Sequence, residues 1–220
     1  MASQARQAFD RNVKDVDRLL EIHADVGGDA QGRRFGLEVL NKSAIVLITA
    51  IWEAYCEDLA AEALAHLVEN VSSGTALPKE LKKRIATDIK ANQNDLAMWD
   101  LADAGWKARA KARLASLMEE RNRRLNTPKS GQINELFAAA IGLPDVSSAW
   151  NWQKMSVAQA TTKLDKFVEL RGSIAHRGAG ASGVKKAEVV DYLAHVKSLV
   201  KKTGGRVNTH VKKATGKTLW

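Results

Sequence analysis

The chain has 220 residues, 45% hydrophobic, 27% charged and 5% aromatic, with 15 Gly, 3 Pro and 1 Cys. That composition belongs to a folded domain and excludes a disordered or collagen-like chain, while a lone Cys excludes an internal disulfide framework and a cysteine-rich zinc site. Thirty-four Lys and Arg against 25 Asp and Glu give a formal net charge of +9. The longest apolar run, Ala44 to Trp52 (AIVLITAIW), is broken only by Thr49. It is far shorter than the roughly 20 residues a membrane-spanning helix needs. The opening MASQARQAFDRN has no apolar core behind a basic end, so it does not read as a secretory signal. A single-domain cytoplasmic protein with no membrane partner is expected.

The elements follow in chain order. Few prolines and many Ala, Leu, Lys and Glu predict helix nearly throughout, and no segment shows bounded strand alternation. Gln4 to Val26 reads as a first helix, with Phe9, Val13, Val16 and His23 on one stripe. Gly27, Gly28 and Gly32 mark the turn after it. The second helix is long, about Phe35 to Asn70. Around residues 44–52 it is apolar nearly all round, as expected of a helix buried on more than one side. Its covering is either a second copy of the chain, which we favour, or the rest of its own. Pro78 opens a third helix running to about Asn92, and further helical segments are expected at about Trp106 to Leu125 and Ile133 to Gly142. This middle region, about 72–152, has weaker periodicity and reads as an inserted helical subdomain on a core of about 1–70 and 153–220. Within it Trp99, Trp106, Trp150 and Trp152 are more readily packing residues than base-stacking ones. Ser156 to about Ile174 is the next helix, with Val157, Ala160, Leu164, Phe167 and Val168 as its stripe and Arg171 as the next position on it. A helix over about Lys185 to Lys202 follows, then a Gly- and Lys-rich tail, Thr203 to Trp220.

The charge is one-ended. Residues 171–220 hold 11 basic and 2 acidic side chains, so the first 170 are balanced at 23 of each. Such an excess points either to a polyanion partner or to a solvated basic tail. A second local excess lies between Gly105 and Lys129.

The charge break coincides with Leu170 to Gly178, LRGSIAHRG. Here an Arg ends an apolar helical stripe and a His follows five residues later, an R-x-x-x-x-H spacing. Arg at a core-facing position is costly unless paired or used, and His readily trades protons near neutral pH. Together they suit phosphodiester cleavage. His176 would move protons at the sugar and leaving oxygens, and Arg171 would hold the phosphate oxygens bidentately. No metal or cofactor is implied. Glu53 and Glu57, one turn apart on the second helix, could orient an Arg or His, although a solvated or salt-bridged face is the commoner use of such a pair. Glu62 and His66 have no carboxylate or thiolate cluster beside them, so a metal site is not expected there. Cys56 reads as a buried structural thiol. Ala214 to Thr218 (ATGKT) imitates a phosphate-binding loop but lacks its first Gly, and no helix can follow it.

The motif Arg171 to His176, followed by Gly178, resembles the signature of the HEPN superfamily (higher eukaryotes and prokaryotes nucleotide-binding domains). The remainder is similar to its bacterial RiboL-PSP-type branch through AIVLITAIWEAYCEDL, the Phe167-Val168 helix leading into RGSIAHRG, and the closing TGKTLW. The resemblance covers about 1–70 and 153–220. It implies an all-α HEPN-like helical bundle that forms a homodimer, with two motif copies facing each other in a composite, metal-independent endoribonuclease site. Arg171 and His176 match the family's catalytic pair, with Ser173, Glu53 and Arg177 as supporting residues. The products would be 2',3'-cyclic phosphate and 5'-hydroxyl ends, the partners RNA and an antitoxin or regulatory protein, and the setting toxin, anti-phage or stress defence. The residue after the motif Arg is commonly Asn, Asp or His in the family and here is Gly172. Ser173 is the candidate substitute. Some members have lost catalysis and serve as RNA-binding or partner-binding modules.

Overall fold

In a computed structural model, residues 2–27, 36–112, 127–177 and 183–220 are described. The helices are α1 (Gln4–Gly27), α2 (Glu38–Asn70), α3 (Lys79–Lys90), α4 (Ser130–Ile141), α5 (Val157–Arg177) and α6 (Lys186–Thr215). Residues 105–112 are also helical, and short 3₁₀ turns fill several connections. Among the described residues there is no strand, only one isolated bridge between Trp152 and Met155. No described helix is long and apolar enough to cross a membrane. Residues 113–125 of the helix expected over Trp106 to Leu125 lie outside the described ones, as does Gly178 after the motif.

The architecture is a bundle built round α2. Its 33 residues carry buried side chains on almost every turn, from Asn41 to Val68, so neighbours must pack on several sides. α1, α4, α5 and α6 all do so. Aromatic residues form the centre. Trp52 stacks against Tyr55 at 6.1 Å and meets Trp150 edge-on at 5.9 Å, while Phe9 of α1 meets Tyr55 edge-on at 5.7 Å. Each buried polar tip is satisfied. Trp52 Nε1 donates to the Pro128 carbonyl at 3.3 Å, Trp150 Nε1 to Thr203 Oγ1 at 2.9 Å, and Tyr55 Oη to the Val200 carbonyl at 3.0 Å. The stretch between 72 and 152 thus supplies Trp150, Phe137 and Ile133 to the same core as α1 and α2.

Side chains of one helix close the ends of others, satisfying backbone groups that a helix cannot pair internally. The Glu62 carboxylate accepts from the first amides of α1, Gln4 at 3.2 Å and Ala5 at 3.1 Å. Asp165 of α5 accepts from the Ser130 amide at 2.8 Å, opening α4. His210 Nε2 bonds the Ile141 carbonyl at the other end of α4 at 2.9 Å. Gly142 (φ 69) and Gly216 (φ 74) end α4 and α6 in the left-handed conformation that favours Gly.

The last helix differs from the sequence expectation. α6 does not stop near Lys202 but continues to Thr215, and what reads as a tail is mostly helix. The reason is burial: Thr203, Gly204, Val207 and Val211 continue the inward face begun by Val189 and Val196. Gly204 is required there, since a Cβ would lie 2.9 Å from Tyr55 Oη. The closing Leu219-Trp220 folds back, with the Leu219 amide on Asn208 Oδ1 at 2.8 Å and Trp220 against the core.

Two predictions follow from this packing. Gly204→Ala should lower stability by about 1–3 kcal/mol through overpacking, and Tyr55→Phe should recover part of that loss in the double variant, read by denaturant unfolding. His195 is buried, donates from Nε2 to the Ala160 carbonyl at 3.1 Å and packs on Trp152 at 5.4 Å. Burial, then the charge of Lys163, pushes its pKa from 6.5 down to about 4. Between those values the unfolded chain binds a proton that the folded one refuses, so stability should fall as pH falls through that window. His195→Gln should flatten the slope in urea melts taken across it.

Candidate functional site

The motif lies on continuous helix. α5 runs through RGSIAHR to Arg177, three residues beyond the expected end at Ile174, so His176 is a helical residue and not part of a turn. Successive helical residues turn by about 100°, which puts Arg171 and His176 about 140° apart round α5 and roughly 7.5 Å along it. Arg171 continues the inward stripe of Ala160, Leu164 and Val168 and is half-buried, whereas His176 is exposed. Ser173 is half-buried and, two positions on from Arg171, faces away from it. The side chain of Arg177 lies outside the described ones.

Arg171 sits among polar groups that the motif alone does not reveal. Thr49 Oγ1 donates to the Ile45 carbonyl at 2.9 Å, so in its 3.0 Å contact with Tyr192 Oη the tyrosine is the donor. The phenolic oxygen is left with lone pairs for a cation. Burial drives the Tyr192 pKa far up, and the Thr49 bond and then the Arg171 charge pull it back. Phe167, one turn before Arg171, stacks flat on Tyr192 at 4.1 Å. Tyr192 of α6, held by Thr49 of α2 and stacked on Phe167 of α5, thus lies close enough to feel the Arg171 charge. Thr49 had a visible signal, as the one polar residue inside AIVLITAIW; Tyr192 had none beyond its place on an inward stripe.

The start of α2 and the start of α6 close the same end of the bundle. Asn41 is buried and donates from Nδ2 to the Val184 carbonyl at 2.9 Å, and the Lys185 amide is capped by Glu188 at 2.8 Å. Glu53 is half-buried on α2, one turn beyond Thr49, and Glu57 is buried. Between them Cys56 is fully buried, and burial first, then these two carboxylates, hold its thiol protonated, which fits the structural role expected of it. Of the four middle-region tryptophans, Trp106 and Trp150 are core, Trp152 is half-buried and Trp99 is exposed. Among the described residues no group of three His, Cys, Asp or Glu side chains is placed to hold a metal ion.

The match to a family model, over residues 10–208, is to RiboL-PSP-HEPN. The chain belongs to the RiboL-PSP-HEPN family. That places it in the HEPN superfamily, and the all-α bundle agrees with the fold the resemblance implies. The match also spans 72–152, where the resemblance read from the motifs said little. No curated protein and no solved structure matches the chain.

Among the described residues nothing covers an outer strip of α2 beside the motif. Val39 (62% exposed), Val46, Leu47 and Ala50 line a shallow groove of about 780 Å³ with Ile174 of the motif at its edge. The sequence reading of α2 as apolar on all sides has its physical counterpart here.

Gly172, the residue that departs from the family pattern, lies one turn before His176 on the same side of α5, with open space where a Cβ would point. Gly in a helix interior costs about 0.5–1 kcal/mol relative to Ala. Gly172→Ala should therefore raise stability by about that amount, measured by thermal or chemical unfolding. A loss of stability would mean that its surroundings are tighter than this geometry has them.

Proposed function

We propose that the protein is a metal-independent endoribonuclease whose site is completed by a second copy of the chain. The HEPN superfamily includes ribonucleases. The observation that carries the reading is an exposed His176 on the same helix as an Arg171 whose charge reaches the buried Tyr192, next to a strip of α2 that is uncovered among the described residues. Among the described residues one chain offers one exposed imidazole, His176, while the reaction needs one proton removed and another delivered. Two copies packed through the α2 strips would bring two imidazoles and two guanidiniums to one cleft.

The chemistry is then a transesterification. One His176 takes the proton of the RNA 2'-hydroxyl, and the 2'-oxygen attacks the phosphorus. The bond from phosphorus to the 5'-oxygen breaks, and the partner's His176, already protonated, gives its proton to that oxygen. Arg171 holds the non-bridging oxygens as negative charge builds. The ends are a 2',3'-cyclic phosphate and a 5'-hydroxyl. Ser173 and Arg177 would support the bound strand, and Glu53 the arginine. The setting is growth control or defence, with an antitoxin or regulator as protein partner.

A second reading keeps the RNA and drops the cleavage. It is favoured by Gly172, which offers no polar side chain beside His176 where the family commonly has one.

The test is cleavage of end-labelled RNA in excess chelator. Wild type should produce cyclic-phosphate ends, and His176→Ala and Arg171→Ala should each slow cleavage by about 10²- to 10⁴-fold with unchanged circular dichroism. Ala50→Glu, at an exposed position on the α2 strip, should give a monomer on sedimentation and lose cleavage with the motif intact. Cleavage that survives Arg171→Ala would overturn the clamp role. Binding without product would select the second reading.

A further inference from the structure

The basic excess adjoins the motif in sequence but not in space. α5 and α6 form an antiparallel pair, with Ala160 against His195, Lys163 ion-paired to Asp191 at 2.6 Å and Phe167 against Tyr192. His176 therefore projects beyond one end of the pair, while α6 after His195 runs on past the other. At about 1.5 Å per residue, these pairings put Lys201 roughly 27–35 Å and Lys213 roughly 45–53 Å from His176 along the helices.

We propose that this far half of α6 is a separate RNA-binding track, distinct from the motif. The proposal rests on the RNA reading above but not on cleavage. After Asp191 the chain contains no acidic side chain. Lys197, Lys201 and Lys212 fall on one line along the helix surface, and Lys202, Arg206 and Lys213 on a second, about 100° round from it. All are exposed except Lys202, which is half-buried. Between the lines lie Ser198, Gly205 and Thr209, so the floor is small, and Gly205 faces open space. The Ser198 and Thr209 hydroxyls donate back to their own helix at 3.1 and 2.9 Å, leaving their oxygens free only as acceptors. The nearest acid along the groove that Lys201 borders, Asp10, is already held by Arg6 at 2.9 Å. None of the six basic residues is in a salt bridge among the described residues. His210 records the resulting potential: burial lowers its pKa first, and Arg206 and Lys213 lower it further.

Two rows of cations over about 24 Å of helix fit a flexible polyphosphate, whose contacts are spread and need no deep pocket. An amphipathic membrane anchor needs an apolar face to insert, and here the apolar face of α6 is inside the core. A protein partner would look for a desolvated anchor, and this surface offers none.

The experiment measures binding of a 30-nucleotide single-stranded RNA to full-length His176→Ala protein, which removes cleavage from the readout, between 50 and 300 mM salt. A fourfold variant in that background, Lys201→Gln, Lys202→Gln, Arg206→Gln and Lys213→Gln, should weaken binding at least tenfold. Its slope of log affinity against log salt should shrink by about 3, from roughly 0.7 per lost phosphate contact. A control with the same charge change elsewhere, Lys14→Gln, Lys79→Gln, Lys90→Gln and Lys111→Gln, should change affinity less than twofold. Equal losses in both variants, no change in the first, or no RNA binding in the parent would each overturn the proposal. So would binding to phosphatidylserine vesicles lost with the same four residues. Because the assay reads binding alone, a protein that never cleaves RNA leaves this result standing.

Discussion

A helix that is apolar nearly all round over residues 44–52 has to be covered on several sides there, and α2 imposes that demand on the whole molecule. α1, α4, α5 and α6 meet most of it, and the aromatic cluster of Trp52, Tyr55, Trp150 and Phe9 is where they meet. The polar tips of this cluster are all paired, and leaving one unpaired would cost about 1–3 kcal/mol. That constraint explains why Tyr55 reaches the backbone of α6 at Val200, and why Gly204 stands where a side chain would collide with its hydroxyl.

The same constraint builds the candidate site. Thr49 interrupts the apolar run of α2, and its hydroxyl must be satisfied. It gives its proton to Ile45 and receives one from Tyr192. Tyr192 is thereby oriented beneath Phe167 and within reach of the Arg171 charge. A packing requirement on one helix thus sets the polar group that feels a guanidinium on another. The α2 strip from Val39 to Ala50, uncovered among the described residues, is the surface that the proposed second copy would take.

Much of this was legible in the sequence because it is periodic. The stripes of α1, α2 and α5, and the place of Arg171 on the last of them, follow from 3.6-residue spacing. The end of α5 was not legible, because Gly172 and the motif's polar residues read as a stop although the helix runs through them. The end of α6 was missed for a related reason: Gly204 and Gly205 look like helix breakers, yet one is demanded by the approach of Tyr55, 149 residues earlier in the sequence. Glu62 and His66 read as a pair on one face, while in the fold Glu62 serves the start of α1. Spacing within one helix cannot show what another helix brings to it. Charge behaved similarly: adjacency in sequence to the motif became separation in space once α5 and α6 turned back on each other.

The proposed ribonuclease needs an imidazole from each of two chains. The experiment that bears on this most directly unfolds wild-type protein with a threefold excess of His176→Ala protein, refolds them together and measures RNA cleavage, with a tag on one protein to show that mixed dimers form. Mixed dimers hold one His176, so cleavage per wild-type chain should fall to about a quarter, the share of wild-type chains that pair with another. Cleavage per wild-type chain that is unchanged although mixed dimers form would contradict the shared site and return it to a single chain.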